Sequence, residues 1–135
     1  MNSTPTTSKL KVLIAEDHPA MRARVDSFLQ DDFDVVASVT NGKAAVEAAN
    51  KLMPDILILD VLMPILNGTD AVSRLKAEGC KAKIVFISAS MEVEQVEACF
   101  TAGGDACVSK MRIATDLMDA ITEALAGRTF VSPED

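Results

Sequence analysis

Tryptophan and tyrosine are absent from the 135 residues, and phenylalanine occurs only five times. The core must therefore come from Ile, Leu, Val, Met and Ala, in a chain that is 49% hydrophobic. That length fits one compact domain, large enough to bury a core without disulfide or metal staples. The cysteines, Cys80, Cys99 and Cys107, are odd in number and none is in a CxxC pair. This predicts reduced thiols in a cytoplasmic protein rather than a disulfide framework. A single histidine, His18, makes no metal cluster by itself and is expected to be structural. No run of Lys or Arg occurs and the net charge is −7, so phosphate backbones would repel this segment. Direct nucleic-acid binding by the chain is not expected. The longest apolar stretch is broken by Asp60 and Pro64, which excludes a membrane span. Residues 1–9, MNSTPTTSK, lack the apolar segment of a signal peptide and read as a disordered polar tail.

What is present is alternation. LKVLIA (10–15), DVVASV (34–39), ILIL (56–59), KIVFIS (83–88) and ACVS (106–109) read as strands. Between and after them, apolar residues recur at helical spacing. These are Met21, Val25, Phe28 and Leu29 after Pro19; Ala45, Ala48, Ala49 and Leu52; Ala71, Val72 and Leu75; Val93, Val96, Cys99 and Phe100; and Leu117, Ala120, Ile121, Ala124 and Leu125. Asn41-Gly42 reads as a turn, and Gly79, Gly103-Gly104 and Gly127 as stops. Five strands alternating with five helices imply an α/β domain, with a parallel sheet covered on both faces. The continuous apolar runs agree, because strands buried on both faces do not alternate.

The polar residues fall at one edge of that sheet. Glu16-Asp17 ends the first strand, Asp60 the third and Ser88 the fourth, and Lys110 follows the fifth. Open α/β sheets bind ligands at the carboxyl ends of their strands. Three clustered carboxylates repel, each pair by about 1 kcal/mol in water and about 4 at an effective dielectric near 20. Oxygen donors without His or Cys suit a hard divalent cation, and few carboxylates plus water suit Mg²⁺. Lys110 supplies a compact positive charge and Ser88 a hydroxyl. Such a set suits phosphoryl transfer, with Asp as a nucleophile able to carry an aspartyl phosphate.

With these residues in this order, the chain over 10–130 resembles the receiver domain of bacterial two-component response regulators. The resemblance rests on Glu16-Asp17, on Asp60 in DVLMPILNG, on Ser88 in FISAS and on Lys110 in VSK. His18-Pro19 and ALAGRTFVSPE resemble the NarL/FixJ subclass, which carries a LuxR-type DNA-binding domain. The resemblance implies a flavodoxin-like (βα)5, doubly wound five-stranded sheet of order 2-1-3-4-5. It implies that Asp60 accepts a phosphoryl group from a sensor histidine kinase. Glu16, Asp17, Asp60 and the Leu62 backbone carbonyl would hold Mg²⁺. Ser88 and Lys110 would contact the phosphoryl group, and the face of helix four, strand five and helix five would respond, as where such regulators dimerise on activation. Control of transcription would run through a DNA-binding domain outside this chain, with 131–135 opening a linker. The domain would be no turnover enzyme and would have no membrane partner.

Three positions depart from the family pattern. Cys107 stands where Tyr or Phe usually acts as a rotameric switch, Met111 where Pro often follows the lysine, and Glu16 where Asp is commoner. Cys107 and Met111 motivate a competing expectation, a phosphorylation-independent receiver-like interaction module. A metal-dependent phosphatase of the haloacid-dehalogenase type fits poorly, because Leu62 stands where that class has its second acid.

Overall fold

The computed structural model describes residues 9–134. Most of the expected polar tail, residues 1–8, lies outside the described residues. The chain alternates β1 (Lys11–Ala15), α1 (Pro19–Leu29), β2 (Asp34–Val39), α2 (Gly42–Leu52), β3 (Ile56–Asp60), α3 (Gly68–Ala77), β4 (Lys83–Ser88), α4 (Val93–Ala102) and β5 (Ala106–Ser109). A 3-10 turn over Lys110–Arg112, α5 (Ile113–Leu125) and β6 (Phe130–Val131) complete it. The strands form one parallel sheet of order β2-β1-β3-β4-β5-β6.

Strand side chains alternate between two cores, as a period of two requires. Leu13, Ala15, Leu57, Leu59, Ile84, Phe86 and Cys107 face the layer holding Ala45, Val46, Ala49, Val72, Leu75 and Cys99. Val12, Ile14, Ile56, Ile58, Val85, Ile87 and Val108 face Val25, Leu29, Leu117 and Ile121. All five residues of β3 are buried. Each large aliphatic side chain so buried contributes about 1.5–3 kcal/mol. Asp60 is thus carried at the end of a fully covered strand. Among the described residues no helix is long and apolar enough to cross a membrane.

Two local features differ from the sequence reading. Asn41-Gly42, expected as a turn, starts α2: the Asn41 side chain accepts from the Ala44 N–H at 2.8 Å, a helix cap. The sixth strand was not expected. Two residues carry no periodicity, so β6 is decided by what it meets. Phe130 and Val131 pair with Ala106 and Cys107, and the Ser132 N–H donates to the Cys107 carbonyl at 3.0 Å.

Ser132 is held more firmly than a loose end would be. Its hydroxyl donates to Asp116 Oδ2 at 2.6 Å and accepts from the Ser109 N–H at 3.0 Å. Arg112 Nε donates to the same carboxylate at 2.8 Å. Burial alone would raise the Asp116 carboxyl, but the Arg112 and Ser132 donors outweigh it and hold it below its ordinary value of 3.8. Ser132→Ala strips a buried carboxylate and a buried N–H of a partner, and should cost about 1–3 kcal/mol in urea unfolding. A group with a lowered folded pKa contributes stability above its ordinary value and loses it as pH falls through the folded one. The gap between Ser132→Ala and wild type should therefore narrow below pH 3.8. A pH-independent gap would refute the carboxylate's part in it.

Candidate functional site

The sheet brings together residues far apart in the chain. Asp60 pairs in register with Ile87, and Ser88 with Ser109. The carboxyl ends of β1, β3, β4 and β5 therefore open on one rim. Glu16 is fully buried there, and Asp60 and Ser88 nearly so. Arg22 anchors the end of β1 by donating to the Glu16 carbonyl at 2.9 Å.

Lys110 Nζ donates to Asp60 Oδ2 at 2.6 Å and lies 2.9 Å from Glu16 Oε1. The Leu62 N–H donates to Asp60 Oδ1 at 3.2 Å. His18 donates from its backbone to Glu16 Oε2 at 3.1 Å, and its Nδ1 lies 3.2 Å from that oxygen and 3.3 Å from Asp17 Oδ1. Ligand atoms of Glu16, Asp17, His18 and Asp60 all fall within 4.8 Å of one another. The expected acid group is thus assembled, and His18 belongs to its surroundings. A signal was available in the sequence, since His18 directly follows the acid pair.

The charges sit unequally. Burial pushes the Asp60 carboxyl up; Lys110 pulls it down, the Glu16 charge pushes it up again, and it stays above the ordinary value. Burial also opposes ionisation of Glu16, but the His18 backbone N–H and Lys110 outweigh it and leave the carboxyl lowered. Burial alone would lower Lys110, and the two carboxylates raise it. Glu16 Oε1 and Asp17 Oδ1 are buried and receive no directed hydrogen bond, although cationic or imidazole nitrogens stand beside them. Acceptor-only oxygens of this kind, with carboxylates beyond what one lysine neutralises, fit a hard divalent cation.

A cavity of about 380 Å³ lies over Asp60, lined among others by Asp17, Leu62, Asn67, Ser88, Gln95 and Lys110. The Ser88 hydroxyl is at the rim but turned within its own loop: it donates to the Ser90 carbonyl at 2.7 Å and accepts from the Ser90 N–H. Asn67 was legible only as part of the loop that closes DVLMPILNG, and Gln95 was not singled out from the sequence.

The loop after Asp60 is tightly drawn. The Leu66 N–H donates to the Pro64 carbonyl at 2.7 Å across Ile65, whose φ is +71°. That is a γ-turn with a β-branched residue at its centre, a strained arrangement. Gly68 closes the loop, its N–H donating to the Val61 carbonyl at 2.8 Å. A Cβ at Gly68 would collide with the Asp60 carbonyl. Gly68→Ala should cost about 1–3 kcal/mol and shift the Asp60 amide resonance. An unshifted resonance would mean that this contact does not position the carboxylate.

The departures also find places. Cys107 is fully buried beside α4 and packs as a small core residue. No peptide bond among the described residues is cis. Met111 is exposed in the 3-10 turn, where its N–H donates to Ser109 Oγ at 3.2 Å.

Comparison with known proteins agrees with this geometry. The family model described as "Response regulator receiver domain" matches residues 12–122. Response regulator protein VraR of Staphylococcus epidermidis is 31% identical over 127 residues, which cover 93% of this chain and 61% of that protein. The chain thus spans less than two thirds of the length of the curated relatives it matches. The signal receiver domain of the putative response regulator NarL from Mycobacterium tuberculosis superposes with a TM-score of 0.83 at 26% identity, covering 90% of this chain and 99% of that one. A LuxR-family two-component response regulator from Aurantimonas sp. SI85-9A1 superposes at 0.87 with 25% identity, covering 93% and 91%. The five-stranded core order expected from the sequence is kept, with β6 added at its edge. A family match along most of the sheet, relatives of the NarL and LuxR kind and an acid cluster where the resemblance implied one lead to a single assignment: the chain belongs to the response regulator receiver domain family, a family of signalling proteins.

Proposed function

We propose that this domain is a phosphoryl-accepting switch in which Asp60 takes a phosphoryl group from the phosphohistidine of a sensor histidine kinase. The supporting observation is the buried Asp60 carboxylate at the floor of an open cavity, bonded to Lys110 at 2.6 Å and flanked by Glu16 and Asp17. In the proposed step an Asp60 oxygen attacks phosphorus, the P–N bond to the kinase imidazole breaks, and the imidazole leaves with that electron pair. Glu16, Asp17, Asp60 and the Leu62 carbonyl would hold Mg²⁺, which would neutralise charge on the transferring group. Lys110 is positioned to follow a phosphoryl oxygen with its ammonium. Ser88 would exchange its Ser90 contact for a phosphoryl oxygen, drawing the β4–α4 loop inward. About two added negative charges with strong acceptor oxygens suffice to reorder such a loop.

The same proposal takes residues 10–132 as the receiver unit, two residues beyond the sequence expectation because Val131 pairs with Cys107 and Ser132 is held by Asp116 and Ser109, with the residues after it leading toward a LuxR-type DNA-binding domain. DNA would be met only through that domain, and transcription would be the output. The α4, β5 and α5 face would carry the response, with homodimerisation on activation. The protein would act in the cytoplasm, turning over nothing beyond its own phosphoryl group.

Incubation with Mg²⁺ and a small phosphodonor should add one phosphoryl group, seen as a base-labile gain in intact mass. A wild-type protein that stays unmodified, and does not bind beryllofluoride with Mg²⁺ either, would overturn the reading. No observation on the site favours the phosphorylation-independent module.

A further inference from the structure

Lys110 stands first in the 3-10 turn between β5 and α5. Its ammonium is set against Asp60 and Glu16, yet little in the turn itself fixes its backbone. Met111, the next residue, is 81% exposed and has no ring to lock φ, as proline would. The turn is held from its two ends instead. At its entry, Ser109 Oγ accepts from the Met111 N–H at 3.2 Å, while the Ser109 N–H donates to the Ser132 hydroxyl at 3.0 Å. At its exit, Arg112 Nε donates to Asp116 Oδ2 at 2.8 Å.

The two anchors are one unit. The Ser132 hydroxyl that accepts from Ser109 donates to that same Asp116 oxygen at 2.6 Å. Ser109, Asp116 and Ser132 are all buried, where hydrogen bonds to a charged acceptor are strong and are not replaced by water. Ser132 is itself fixed to the sheet, its N–H donating to the Cys107 carbonyl at 3.0 Å. A closed ring therefore surrounds the lysine turn. It runs from Ser132 to Ser109, along the chain through Lys110 to Arg112, and through Asp116 back to Ser132.

We infer that Ser132, acting with Asp116, is a positioning residue for Lys110, and that it ties the state of Asp60 to the segment leaving the domain after β6. This role rests on the phosphoryl-accepting reading for its consequence, but not for its geometry. A phosphoryl group on Asp60 presents its oxygens farther out than Asp60 Oδ2. Lys110 must reach them from a turn whose ends are held in place. Coupling between two sites is reciprocal. If loosening Ser132 weakens phosphoryl binding, phosphoryl binding holds Ser132 more firmly.

The test compares Ser132→Ala and Asp116→Asn, in the whole chain, with Leu75→Val. The last is a core truncation on the sheet face away from α5, so it lowers stability without touching the ring. Without metal, the nitrogen resonance of Lys110 Nζ and the carboxyl carbon resonance of Asp60 should move in both ring variants and stay in place in Leu75→Val. With Mg²⁺, beryllofluoride affinity should fall by about tenfold in each ring variant and not in Leu75→Val. The double variant should lose little more than either single one, as partners in one network do. In wild type, exchange of the Ser132 amide should slow when beryllofluoride binds. Resonances that stay in place in Ser132→Ala, or move as far in Leu75→Val, would overturn the proposal. So would wild-type beryllofluoride affinity in both ring variants. A wild type that binds no beryllofluoride strikes the phosphoryl reading instead, and the metal-free resonances then decide the positioning alone.

Discussion

Asp60→Asn is expected to abolish covalent capture of a phosphoryl group completely and to remove beryllofluoride binding in the presence of Mg²⁺. The amide is nearly isosteric but has lost the anionic oxygen that attacks phosphorus. The same substitution should not weaken the metal-free protein. Asp60 has a raised carboxyl, chiefly because it is buried and because Glu16 stands beside it. An acid whose folded pKa lies above its ordinary value of 3.8 binds its proton more tightly when folded. Stability is therefore lost as pH rises from the ordinary value through the folded one. At neutral pH the ionised Asp60 is a cost, which asparagine removes. Unfolding in urea without divalent ions should thus show the variant at least as stable as wild type above that range. A variant that is clearly less stable there would mean that the Lys110 bond outweighs burial and repulsion. A phosphoryl group still captured by Asp60→Asn would remove Asp60 from the chemistry altogether.

Lys110→Ala should have the largest effect on metal-free stability. Its ammonium bonds Asp60 at 2.6 Å and sits 2.9 Å from Glu16, and its side chain is only 14% exposed. Removing one partner of a buried ion pair leaves uncompensated charge, a loss of about 3–5 kcal/mol. Two carboxylates would remain against each other, each with its pKa driven upward. Mg²⁺ should restore most of the loss, because a divalent ion neutralises the same oxygens. The stabilisation by Mg²⁺ should accordingly be larger in Lys110→Ala than in wild type. Metal binding survives, while the conformational response to beryllofluoride is blunted, since no ammonium follows the added oxygens. Equal urea midpoints without metal, or equal spectral changes on activation, would contradict this role.

Both expectations depend on placement that could be read only partly from the chain. The strands and helices were legible because their apolar residues repeat with the period of each element. The run from Ile56 to Leu59 followed by a lone Asp60 marked the point where a buried strand reaches its rim. Glu16, Asp17, Ser88 and Lys110 were legible by the same logic, each standing just past an apolar run. Strand order came through the resemblance, since local periodicity says nothing about which strands lie side by side. The 2.6 Å bond from Lys110 to Asp60 crosses fifty positions of chain, and no local pattern encodes it.

Other features were decided by tertiary structure alone. β6 has two residues and no period; it exists because β5 offers an open edge and because Asp116 and Ser109 anchor Ser132. His18 looked isolated in a chain with one histidine, yet the turn after β1 sets its ring against both neighbouring acids. Cys99 and Cys107 lacked any ligand spacing, and only the packing of α4 on β5 brings their sulfurs within 3.8 Å. The sequence by itself determined which segments are helix or strand and which residues surface at the sheet rim, because hydrophobic period and strand ends are local properties. The fold decided which of those residues touch, because contact between distant segments is set by how the layers close on one another.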